Sequence, residues 1–166
     1  MKTKTILIII LSIIVFTKCR KEPSADTHIK LLSHTECKTF DKLNTEEVPD
    51  NKSCIYYTYD STTHTLHIQH INAGFNCCVD SLYCLVSVES NKILVEEVEV
   101  NPHCFCNCLY DLNIDITGIH SQAYQIEFVE PYRGEQTKLL LNLDLTLKST
   151  GNYCVNRTLY PWNSSH

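Results

Sequence analysis

The stretch Leu139-Leu140-Leu141-Asn142-Leu143-Asp144-Leu145-Thr146-Leu147 decides the fold class. Its odd positions are all leucine, while the even ones include Asn142, Asp144 and Thr146. Successive side chains of a strand point to opposite faces, so this pattern gives one core face and one wet face. A helix would return an apolar residue every third or fourth position instead.

The same period runs outward over the chain from Cys54. It predicts strands at Ile55–Tyr59, Thr65–Ile71, Leu82–Glu89, Ile93–Val100, Phe105–Thr117, Tyr124–Val129, Leu139–Lys148 and Tyr153–Leu159. Turn residues separate them at Asp60-Ser61, Asn72-Ala73-Gly74, Ser90-Asn91, Asn101-Pro102, Gly118, Arg133-Gly134 and Thr150-Gly151-Asn152. No window has helical periodicity. Short strands joined by hairpin-scale links predict an all-β, antiparallel sandwich of about eight strands, immunoglobulin-like in general plan, rather than a barrel.

The 166 residues are one-domain length, 43% hydrophobic and 20% charged, which describes a globular body rather than a disordered or fibrous one. The compositional outlier is cysteine, with ten residues. The first twenty residues read as an address. Lys2 and Lys4 precede an uncharged run from Thr5 to Thr17 that ends at Lys18-Cys19. A helix needs about 20 apolar residues to cross a bilayer, so this shorter run suits a signal-peptide core.

That arrangement resembles a bacterial lipoprotein signal, in which the cysteine after the apolar run is acylated and becomes the mature N-terminus. The resemblance implies residues 1–18 as signal peptide, Cys19 as the lipid-attachment site, and export to the cell envelope, membrane-anchored and facing the periplasm or the cell surface. Residues 19–36 then form the lipid anchor and a solvated tether, and residues 37–166 the cysteine-rich β-sandwich domain. The signal peptide carries three lysines and no acid, so 14 Lys+Arg less these three leaves 11 against 19 Asp+Glu. A chain of that sign with no basic cluster beyond Arg20-Lys21 excludes nucleic acid as a partner.

Beyond Cys19 lie nine cysteines: Cys37, Cys54, Cys77, Cys78, Cys84, Cys104, Cys106, Cys108 and Cys154. In an oxidising compartment all nine are disulfide candidates, and the odd number leaves one thiol free, metal-bound or paired between chains. Alternation puts Cys104, Cys106 and Cys108 on one inward face with Tyr110, Leu112 and Ile114, and Cys84 inward with Leu82 and Val86. Residues two apart on a strand are about 6.5 to 7 Å apart, too far for a comfortable disulfide, so each member of that ladder looks elsewhere. Adjacent Cys77 and Cys78 send one thiol to each of two partners. The expected links run from Cys77 or Cys78 to the ladder, and from Cys154 to Cys37 or Cys54.

The alternative uses the same thiols as ligands. Zinc or cuprous copper takes thiolates and imidazoles, and Cys77, Cys78, Cys106 and Cys108 with His70 or His103 offer such a set. A thioredoxin-like mechanism is disfavoured, because no Cys-x-x-Cys opens a helix.

The segment His70-Ile71-Asn72-Ala73-Gly74-Phe75-Asn76-Cys77-Cys78, the segment Cys104-Phe105-Cys106-Asn107-Cys108-Leu109-Tyr110-Asp111 and the terminal Tyr160-Pro161-Trp162 resemble an uncharacterised cysteine-rich lipoprotein family of Bacteroidota. The likeness covers roughly residues 54 to 162. It implies the lipoprotein address and supplies no catalytic residues.

Other residues have plain readings. His64 and His70 share a strand face and His67 takes the other, which argues against a three-histidine site. Glu96, Glu97 and Glu99 read as a solvated strand edge rather than a cation or acid/base site. Tyr110-Asp111 and Tyr160-Pro161-Trp162 suit a ligand platform or simple packing. The sequons at Asn51, Asn156 and Asn163 are incidental in a bacterial chain. No nucleotide-binding glycine loop or serine-hydrolase elbow occurs. The expectation is therefore a non-catalytic envelope lipoprotein, with a binding or structural β-domain for a protein or small-molecule ligand and no cofactor. The alternative is a zinc- or copper-handling protein.

Overall fold

The computed structural model describes residues 28–29, 31–38, 48–159 and 161. Cys19, Tyr160 and Trp162, named above, lie outside the described residues. The described chain contains no helix and forms ten strands: β1 His28–Ile29, β2 Leu31–His34, β3 Lys52–Asp60, β4 Thr65–Asn76, β5 Ser81–Glu89, β6 Lys92–Val100, β7 Asn107–Thr117, β8 Ala123–Val129, β9 Leu140–Asp144 and β10 Thr150–Asn156.

They make two five-stranded sheets, one in the order β1-β5-β6-β8-β9 and the other β10-β3-β4-β7-β2. The protein is a disulfide-crosslinked, all-β sandwich. Neighbours are antiparallel except β6 and β8. A parallel pair needs a crossover, and here the chain makes it by leaving the first sheet, running β7 in the second and returning as β8.

The inward rows follow from alternation. Leu66 and Ile68 on β4, Val86 on β5, Ile93 and Val95 on β6, Leu112, Ile114 and Ile116 on β7, and Ile126 and Phe128 on β8 are all buried. Their interdigitation between two sheets is the core.

Four departures from the sequence reading have local causes. The expected tether is bound into the domain from His28 onward: β1 pairs with β5 and β2 with β7, covering what would otherwise be open strand edges. The Asn72-Ala73-Gly74 signal is a bulge rather than a turn, and β4 continues through Asn76. Asn72 adopts φ 62°, is fully buried, donates its side-chain amide to the carbonyls of Val48, Pro49 and Lys52, and receives a hydrogen bond from Lys38 Nζ at 2.9 Å. The extra residue switches parity, so Leu66, Ile68 and His70 point inward before it and Ala73 and Phe75 after it.

The leucine run is cut short at its end. Asp144 Oδ1 accepts from the Thr146 amide and hydroxyl, and its carbonyl accepts from the Leu147 and Lys148 amides. This turn ends β9 and leaves Leu147 79% exposed, not inward as expected. Two glutamates of β6 also differ, because β6 is an interior strand between β5 and β8 and no edge, although Glu96 is solvated as expected. Glu97 is buried there, and Glu99 accepts from Tyr132 Oη and from the Asn76 amide.

Candidate functional site

Two constellations stand out: a sulfur-rich clasp at one end of the sandwich and a charged layer inside it. The clasp joins the β4–β5 and β6–β7 connections. Asn76 organises it, since its side-chain amide donates to the Cys104 carbonyl at 2.7 Å while its Oδ1 accepts from the Cys78 amide at 2.9 Å. The Cys77 amide donates to the Cys106 carbonyl and the His103 amide to that of Cys78, so the two loops lie side by side.

This backbone pairing brings the thiols into reach. Cys77 bonds to Cys106 and Cys78 to Cys104, with Cα separations of 5.6 and 5.5 Å. Cys37, just beyond β2, bonds to Cys108 at the start of β7, Cα to Cα 5.8 Å. The fourth bond joins Cys54 of β3 to Cys154 of β10, which sit directly opposite in register. The remaining candidate, Cys84, is a buried free thiol on the inward face of β5. Burial first, and then the charge of Glu97, push its pKa up, so it stays a thiol and is a poor nucleophile.

The three-thiol inward ladder does not form. Strand β7 begins only at Asn107, so Cys108 alone is on it and buried, while Cys106 is exposed and Cys104 half-buried. Phe105 between them is 96% exposed. His70 stands apart from the proposed ligand cysteines, because both of its ring nitrogens are engaged elsewhere. Instead the sulfurs gather as two trios, Cys37 with Cys77 and Cys108, and Cys78 with Cys104 and Cys106. Within each trio they lie within 4.8 Å of one another. The bond from Cys77 to Cys106 joins the trios, making six neighbouring sulfurs.

The charged layer was missed by sequence reasoning. His70 Nδ1 donates to Glu97 Oε1 at 2.5 Å, and His70 Nε2 lies 2.8 Å from Ser53 Oγ. Arg157 grips both oxygens of Glu130 at 2.5 and 2.7 Å and also donates to the Thr137 carbonyl. Each of the four charged groups stands two residues beyond an apolar inward residue: His70 after Ile68, Glu97 after Val95, Glu130 after Phe128, Arg157 after Val155. Since Val95 and Phe128 are register partners on parallel strands, Glu97 and Glu130 arrive at one level of the core.

Burial alone would lower the pKa of His70, but the charge and hydrogen bond of Glu97, helped by Glu130, outweigh it and raise it. Burial raises that of Glu130 against the opposing pull of His70 and Arg157. The hydroxyl–imidazole–carboxylate chain of Ser53, His70 and Glu97 has the connectivity of a hydrolase triad. Ser53 and His70 are nonetheless fully buried, so no substrate meets the hydroxyl in this conformation. Its evident effect is to fix β3, β4 and β6 to one another. Tyr110 likewise packs in the core and donates to the Asn76 carbonyl, which removes it as a platform residue.

A third feature is open to solvent. On the outer face of the second sheet a trough of about 470 Å³ is lined by Ser33, Tyr56, Thr58, Gln69, Asn113 and the His67–Asp115 pair. The fold and these sites define a crosslinked β-sandwich of the kind that persists in oxidising compartments outside the cytoplasm. Comparison with known protein families, curated proteins and solved structures finds no match to this chain.

Proposed function

We propose that the protein is an exported envelope lipoprotein, anchored through acylated Cys19, whose sandwich is a binding module rather than an enzyme. The observation that carries this reading is the clasp: three disulfides hold two loops and the N-terminal strand segment in one covalent unit. Such bracing suits a domain that must keep its surface presented where no reducing system repairs it. The signal-like run before Cys19 and the resemblance to cysteine-rich lipoproteins of Bacteroidota support the address. The sealing of Ser53 and His70 favours binding over catalysis.

The test is expression of the full chain in a bacterium that processes lipoproteins, followed by fractionation and intact mass without reductant. The expected product begins at Cys19, carries acyl chains and four disulfides, and sediments with membranes, whereas Cys19→Ser does not. A wild-type chain without acyl groups, or an unchanged distribution of the variant, overturns the reading.

The two sulfur trios favour a second reading, metal handling. In the thiol form each offers three soft ligands, a set suited to cuprous copper or zinc. Protein purified without chelator would then retain stoichiometric metal and show unoxidised thiols among these six cysteines.

A further inference from the structure

Outward side chains of the second sheet line up across all five of its strands. Asn152 is the register partner of Tyr56, Tyr56 of Gln69, Gln69 of Asn113, and Asn113 of Ser33. The row is made of three amides, one hydroxyl and one phenol, with no charge. Beside it runs Thr150, Thr58, His67 and Asp115, where the single carboxylate is held 2.6 Å from His67 Nδ1. Among the described residues, the side chains of Tyr56, Thr58, Gln69 and Asn152 have no hydrogen-bond partner. The trough thus offers free donors and acceptors of both kinds over a partly exposed ring.

Charge decides what fits. The sequence carries a net charge of −5, and the trough lining contains no lysine or arginine, so an anionic ligand would find no counter-charge beyond His67. An apolar ligand would strip water from the amides without replacing their hydrogen bonds. A neutral saccharide presents hydroxyls to the amides and an apolar ring face to Tyr56. The spacing also agrees: strands repeat every 4.7–4.9 Å or so across a sheet, close to the length one pyranose adds to an extended chain.

We propose that this outer face is a binding site for a neutral oligosaccharide laid across the strands, with Tyr56 as its stacking platform and Gln69 and Asn113 as its hydrogen-bonding centre. The proposal deepens the binding-module reading and rests on it.

The experiment is calorimetric titration of the detergent-purified full-length protein with soluble hexasaccharides of glucose, xylose and mannose in β- and α-linked forms, and with an oligogalacturonate as the charged comparison. At least one neutral hexasaccharide is expected to bind while the oligogalacturonate does not. Tyr56→Ala should weaken that binding at least tenfold and Gln69→Ala several-fold, while Leu94→Ala on the outer face of the other sheet leaves it unchanged. Near-ultraviolet circular dichroism checks that each variant keeps its packing. Failure of every neutral probe, preference for the anionic one, or equal binding by Tyr56→Ala overturns the proposal. Those outcomes leave the Cys19 acylation result untouched, so the two failures are distinguishable.

Discussion

His70 of β4 and Glu97 of β6 meet across the core at 2.5 Å, each with a side chain shut off from solvent. A pair like this carries a pH dependence whose sign is fixed. The folded state raises the pKa of His70 above its ordinary 6.5, so the protonated form is favoured by folding. Its stabilisation is complete below about pH 6.5 and is lost as pH rises through the raised value. Urea unfolding with disulfides intact should show stability falling as pH rises above about 6.5. The double variant His70→Gln/Glu97→Gln, which keeps neutral groups of similar shape, should flatten that slope. An equal slope in the variant would assign the titration elsewhere.

Glu130 and Arg157 form the second buried pair, and removing one partner strands the other charge in the core. Glu130→Leu or Arg157→Met should each cost about 3–5 kcal/mol. Replacing both by Leu and Met should cost clearly less than the two single changes added together, since neither desolvated charge then remains. Chemical denaturation of the four proteins reads the coupling directly.

The thiol inventory gives a simpler outcome. In native protein acylated at Cys19, alkylation without reductant should label nothing; after unfolding in urea, still without reductant, it should label Cys84 alone. Cys54→Ser/Cys154→Ser opens a link between residues 100 apart in sequence and should lower stability by about 2–5 kcal/mol. More than one labelled thiol by mass spectrometry would mean that at least one of the four bonds is absent.

Asn72 separates backbone strain from hydrogen bonding. Asn72→Gly keeps the positive φ accessible and loses only the side-chain bonds, whereas Asn72→Ala loses both. The alanine variant should be the less stable by about 1 kcal/mol. Equal stability of the two would place the whole cost in the hydrogen bonds.

The sandwich is legible in the sequence because a period of two exposes strand faces even where boundaries slip. Leu139, Leu141, Leu143 and Leu145 are all inward; Leu147 is not, because the Asp144 side chain caps a turn that alternation does not register. The cysteine ladder fails for a related reason. Residues 104–106 alternate with the strand that follows, yet their backbone is pinned to Cys77 and Cys78 instead of continuing it. The charged layer carried a signal that went unread. His70 continues the inward parity of Leu66 and Ile68, and Glu97 that of Ile93 and Val95, so opposite charges at core positions on two strands pointed to a pair. Nothing in a single strand states which partner lies across the core. The trough is harder still, since its residues come from four strands and gather only through register.

The bond between Cys37 and Cys108 has a mechanical meaning. Traction on the N-terminal end of the chain would draw on β1 and β2, edge strands whose hydrogen bonds open one after another like a zip. At Cys37 the unzipping stops, and tension passes covalently into β7, which is bonded along its length to β4 in the interior of the sheet. A segment held at the sheet edges by hydrogen bonds alone is thus tied, at one residue, to a strand with a longer grip on its neighbour.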